Sequence, residues 1–132
     1  MALRFAPAML TKKPIVLETE GLGHQSFHGH VVLLVDRHTA SAAEMMVAAA
    51  KEHALATIVG VPTAGRVRGG SRTKLPHGFW LMLPQGVFVT SGGVNLDGAP
   101  IAPHVHVPFD PAASRGGRDT QLERALEIVR SL

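Results

Sequence analysis

Residues 30–60 read HVVLLVDRHTASAAEMMVAAAKEHALATIVG, and this stretch decides the fold. His30 to Asp36 is a short run of β-branched and aliphatic residues after the turn-like Phe27-His28-Gly29. Such a run, without polar alternation, predicts a strand buried on both faces, as in parallel sheets. Thr39 to Ala54 is rich in small apolar residues nearly all round, which predicts a helix buried on most sides. Ala56 to Gly60 (ATIVG) predicts a second buried strand. Strand, helix and strand in that order make a βαβ unit, so the fold class is α/β.

Outward from this core the pattern changes. Val61 to Gly70 is rich in Pro and Gly and reads as a loop. Phe79 to Leu83 and Val87 to Thr90, joined through Pro84-Gln85-Gly86, predict a β-hairpin. His104 to Val107 alternates with period two before Pro108, which suits a short edge strand. Asp110 to Arg118 reads as a linker. A closing helix is capped at Asp119, with Leu122, Ala125, Leu126 and Val129 forming its apolar face.

Composition narrows the class further. The chain has 132 residues, 45% of them hydrophobic and 17% charged, which excludes a disordered tail. No apolar run reaches the roughly 18 residues that cross a bilayer, so no membrane partner is expected. Met1 to Lys13 has no apolar segment followed by a small-residue cleavage site, so no signal peptide is read; the compartment stays unknown. Zero cysteines exclude disulfides, thiolate metal sites and cysteine nucleophiles. The net charge is +3, and no acidic residue occurs between Glu52 and Asp97, where Arg66, Arg68, Arg72 and Lys74 fall. This basic stretch lacks interleaved aromatics and holds Gly69 and Gly70, which points to a solvated or anion-facing loop and away from nucleic acid.

The chemistry concentrates in Asp36-Arg37-His38-Thr39-Ala40-Ser41-Ala42-Ala43-Glu44. A serine that opens a helix stands beside unpaired N–H groups and a partial positive charge, which stabilise a developing oxyanion. The Ala42 N–H would be one arm of an oxyanion hole. The same spacing, Ser41-x-x-Glu44, also fits a capping box, and spacing alone favours the cap.

A second element follows the second strand: Gly60-Val61-Pro62-Thr63-Ala64-Gly65-Arg66. The strand HVVLLVD, the helix start TASAAE and the loop GVPTAGR together resemble the catalytic core of the tail-specific (C-terminal-processing) serine peptidases of family S41, which have a ClpP/crotonase-like fold. The resemblance continues through Asn95-Leu96-Asp97-Gly98-Ala99-Pro100-Ile101-Ala102-Pro103 and the closing helix, covering about Gly29 to Leu132. It implies a ClpP/crotonase-like βαβ core with an additional hairpin and a C-terminal helix. It further implies peptide-bond hydrolysis by Ser41 as nucleophile, with the Ala42 N–H on the oxyanion. Arg66 falls at the lysine-base position, twenty-five residues after Ser41, and Glu52 at the helix-end acid of some members. Gly65, Arg68 and Gly70 would line the binding loop.

The chain departs from the family pattern at three positions. Arginine has a pKa above about 12 and is a poor general base. Gly70 replaces the glutamine that often follows the lysine by four, and His104 replaces an aspartate. Lys74, on a strand-like segment after the basic loop, is a substitute amine. His24, His28, His30, His38 and His53 are the histidines available as a base of the tricorn type. No glycine-rich strand end precedes His30, so the resemblance implies a partial peptidase domain at 30–132 after an N-terminal extension at 1–29.

His24, His28 and His30, like His104 and His106, lack carboxylate or thiolate partners at standard spacing, so no metal is expected. No cofactor is implied. The expected partner is a polypeptide substrate or C-terminal peptide, and an exposed sheet edge would favour a homo-oligomer. The alternative is a non-catalytic, peptidase-derived module that binds a peptide C-terminus or another anion. A crotonase-like acyl-CoA enzyme would need paired oxyanion donors and a CoA-binding strand, and neither signature is present.

Overall fold

The computed structural model describes residues 2–7, 15–18, 20–21 and 23–131. Of the segment read for an export signal, residues 1 and 8–13 lie outside these. The βαβ unit is present. Strand β3 (Val32–Val35), written here in chain order after β1 (Ala2–Pro7) and β2 (Ile15–Glu18), runs parallel to β4 (Thr57–Gly60). Helix α1 (Ala42–Glu52) connects β3 to β4. A two-residue strand, Val105–His106, joins β4 in parallel and completes a sheet with β4 at its centre.

The antiparallel sheet departs from the sequence reading. The polar segment RGGSRTK is strand β5 (Arg68–Lys74), and Trp80–Val89 is one continuous strand, β6; the Val105–His106 strand is therefore β7. The chain reverses at Pro76-His77-Gly78, where His77 (φ 61°) and Gly78 (φ 83°) take left-handed conformations and Leu75 N–H donates to Phe79 O. Pro84-Gln85-Gly86 is no turn. Gly70 pairs with Pro84 and Gly69 with Gly86, so Gln85 is an extra residue in β6, a bulge that tolerates the missing proline N–H. The strand order is β2-β1-β6-β5, with β1 paired to Gly86–Val89 of β6. The first 29 residues thus supply two strands of this sheet.

Helix α1 packs on the parallel sheet and on the segments that flank the antiparallel one. Val47 and Ala50 pack with Val35 and Ile58 of the parallel sheet, while Ala48 packs with Val67 and Leu96. The segment expected as a linker forms a short helix, α2 (Pro111–Arg115), because the Asp110 carboxylate accepts the Ala112 and Ala113 N–H groups. Helix α3 (Thr120–Ser131) is capped by Asp119 as the sequence predicts, and packs on β3 and β4. Ala125 is buried there, but Leu34, Leu122, Leu126 and Val129 stay between 41% and 44% exposed. The strand expected to be buried on both faces is therefore well covered only on the α1 side.

Candidate active site

The connection from β3 to α1 is shaped by its own polar residues. Asp36 Oδ1 accepts the N–H groups of His38 and Thr39 and the Thr39 hydroxyl, and Thr39 Oγ1 accepts the Asp36 N–H. This Asx-type turn stops the helix from starting at Thr39. Ser41 then adopts φ 57° and ψ −127°, outside the left-handed helical well, and α1 begins at Ala42. Ser41 is exposed, and its side chain makes no capping bond. Among the described residues neither the Ser41 hydroxyl nor the Ala42 N–H has a hydrogen-bond partner. The N-terminus of α1 therefore presents a free donor beside a free hydroxyl.

Glu44 overturns the capping-box reading. It is fully buried, and its carboxylate turns away from its own helix to the loop after β4. Oε1 accepts the Thr63 hydroxyl at 2.5 Å and the Gly65 N–H at 2.7 Å; Oε2 accepts the Arg66 N–H at 2.8 Å. The main chains close the same gap: Ser41 N–H donates to Arg66 O at 3.0 Å and Ala64 N–H to Thr39 O at 2.9 Å. A third segment locks the loop from behind. Thr63 Oγ1 accepts the Ile101 N–H, and Gly65 O accepts the Gly98 N–H. Gly65 has φ 66°, and a Cβ there would stand 2.8 Å from Pro100 Cδ, so this approach requires glycine.

Ser41, Ala42, Gly65 and Arg66 are thus brought together. Arg66 is exposed, with no carboxylate partner among the described residues. Arg68 is not free: its Nε donates to both Asp97 oxygens, at 2.8 and 2.9 Å. Gly70 sits at the bulge, where a Cβ would meet Leu83 O at 2.7 Å. Lys74 pairs with Trp80 at the far end of β5, about 20 Å of extended strand beyond Arg68. Glu52 lies at the other end of α1, about 16 Å from Ser41 along the axis. There the hydroxyls of Ser91 and Thr90, with the Gly92 N–H, hold its carboxyl below the usual glutamate range. Any stability it adds is present above that range and is lost as pH falls through the lowered value.

Two histidines have side-chain bonds. The His38 ring accepts the Arg37 Nε–H, and His104 Nδ1 accepts the Ile58 N–H at 3.0 Å, a structural tie in the parallel sheet. No cluster of three or more metal-ligating side chains occurs among the described residues. Asp36, Thr39, Glu44 and Thr63 were missed as site-builders. Only the Asp-x-x-Thr spacing after a strand could have signalled the first two.

Comparison with known proteins gives a consistent picture. The family model described as Peptidase family S41 matches residues 4–107. The Tricorn protease homolog 1 of Streptomyces coelicolor is 32% identical over 103 residues, covering 76% of this chain and 10% of the relative. The crystal structure of the tricorn protease superposes with a TM-score of 0.73 at 20% identity, over 95% of this chain and 12% of that one. The photosystem II D1 C-terminal processing protease gives 0.62 at 22% identity, over 80% and 27%. The chain therefore spans a small part of the length of these relatives.

Proposed function

Since the chain belongs to peptidase family S41, we propose that it forms the Ser41-bearing part of a serine peptidase site that hydrolyses peptide bonds. The observation that carries this reading is the pairing of an exposed, positive-φ Ser41 with a free Ala42 N–H at a helix N-terminus. In the proposed step Ser41 Oγ attacks the scissile carbonyl carbon, the carbonyl oxygen becomes the oxyanion, and the Ala42 N–H donates to it. The Ser41 proton passes to solvent water, because Arg66 stays protonated; collapse of the adduct breaks the C–N bond, the amine leaves protonated, and a second water cleaves the acyl–Ser41 ester. Lys74, about 20 Å of extended strand beyond Arg68, is given no part in this step, and Arg66 and the helix dipole act only on charge. The step uses no cofactor. Processing near polypeptide C-termini and assembly into homo-oligomers remain parts of this proposal. The peptidase domain is read as 30–132, with β1 and β2 of the preceding segment pairing onto its sheet.

Fluorophosphonate labelling followed by mass spectrometry tests it. An adduct on Ser41, absent in Ser41→Ala, is the expected result. Because a positioned base contributes 10²–10⁴-fold, Arg66→Lys is expected to raise the labelling rate by about tenfold or more. No adduct on a folded chain would sink the nucleophile. The replacement of lysine by Arg66 favours one second reading, a non-catalytic module. It requires that Ser41→Ala leave ligand affinity intact while Arg66→Ala lowers it by about 1–3 kcal/mol.

A further inference from the structure

The β5–β6 arm carries a charge pattern that the proposed chemistry does not use. From His53 to Leu96 the chain holds no acidic residue and four cations. Asp97, the first acid after this gap, is committed to Arg68. Arg66, Arg72 and Lys74 are left with no carboxylate partner among the described residues. The register sets two of them on one face: Arg72 opposes Met82 and Lys74 opposes Trp80. The Arg72 guanidinium stacks 4.1 Å from the Trp80 ring centroid, while Trp80 and Met82 remain 52% and 62% exposed. That face therefore presents two cations and two large apolar side chains to solvent.

Its position relates it to Ser41. Strand β5 ends the sheet order β2-β1-β6-β5, so its outer backbone edge has no strand partner among the described residues. It begins two residues after Arg66, whose carbonyl holds the Ser41 N–H. From Arg66 to Lys74 is about 26 Å of extended chain, the span of about eight substrate residues.

We infer that the arm receives an extended, acidic polypeptide that adds along β5 and leads to Ser41. Backbone pairing at the outer edge accepts any sequence, as in other strand-addition complexes. Arg66, Arg72 and Lys74 then select for carboxylates, with Arg72 and Lys74 facing peptide side chains two residues apart on one face. As an account of substrate class, this rests on the peptidase reading of Ser41.

The test uses the full chain carrying Ser41→Ala and fluorescence anisotropy of a labelled peptide of alternating Glu and Leu, about ten residues long. A Gln-for-Glu counterpart is the control. The acidic peptide is expected to bind about tenfold more tightly, with the preference shrinking as salt rises. Arg72→Glu combined with Lys74→Glu, which takes the three positions from three positive charges to a net single negative one, is expected to reverse the preference towards a Lys-for-Glu peptide, a gain that a misfolded variant cannot produce. Equal binding of the acidic and Gln peptides would overturn the inference. So would tighter binding of a single-stranded RNA oligomer, or charges that only guard the edge, seen as aggregation of Arg72→Gln without peptide selectivity. Labelling of Ser41 on the unmodified chain runs in parallel. A failed labelling with acidic selectivity intact removes the nucleophile and keeps the arm; labelling without selectivity removes the arm alone.

Discussion

Glu44→Ala is expected to cost about 3–5 kcal/mol of folding stability and to abolish the reactivity of Ser41. Three donors converge on the buried carboxylate, namely the Thr63 hydroxyl and the N–H groups of Gly65 and Arg66. Alanine removes the acceptor from all three, and the two that are buried, the Thr63 hydroxyl and the Gly65 N–H, cost about 1–3 kcal/mol each. Glu44→Gln keeps the shape but turns one acceptor into a donor. Its NH₂ then faces either the Arg66 N–H or the pair at Oε1, so about 1–3 kcal/mol is lost. Denaturant midpoints of the two variants, read beside the fluorophosphonate labelling rate, check the result. A Glu44→Ala midpoint equal to that of the parent chain would show that the carboxylate does not hold the loop.

Gly60→Ala is expected to leave the chain unfolded. Gly60 closes β4 at φ 133°, opposite Val35, and a Cβ there would stand 1.9 Å from Val35 O. The neighbour is backbone in the central parallel sheet, and the same carbonyl accepts the Val61 N–H. It cannot withdraw without parting β3 from β4 just where the turn to Ser41 begins. The loss exceeds about 4 kcal/mol, a large share of the stability of a domain of this size. Gly93→Ala is the control. Its φ is 86°, but nothing lies within 4 Å of the new Cβ, so only the conformational cost of about 1 kcal/mol applies. Circular dichroism melts of the two variants separate the steric clash from the backbone preference.

The parts that could be read from the sequence were those written in side-chain hydrophobicity. HVVLLVD and ATIVG are strands because their residues bury against α1, and Asp119 caps α3 by a local bond. The start of β5, Arg68 to Gly70, reads as loop because it pairs through its main chain at a sheet edge, where burial does not constrain side chains. Pro84-Gln85-Gly86 has the residues of a turn, yet the bulge takes up the same conformational freedom within a strand. At the candidate site, the positions of Ser41 and Arg66 were legible through a spacing shared with a family. The function of Glu44 was not. Its distance from Ser41 fits a local cap, and only the arrival of Thr63 and Gly65, nineteen and twenty-one residues on, makes it a tertiary clamp.

The backbone of Ser41 has a consequence for how this chain can drift under mutation. At φ 57° and ψ −127° an L-residue is strained by about 1–3 kcal/mol, whereas glycine takes that conformation freely. Because the Ser41 side chain makes no bond in return among the described residues, Ser41→Gly is expected to raise the melting midpoint, and a lowered midpoint would contradict this account. Selection for thermal robustness alone would therefore replace the serine with glycine. A lineage released from its chemistry would be expected to lose the hydroxyl early, while keeping Glu44 and Gly60, on which its folding depends.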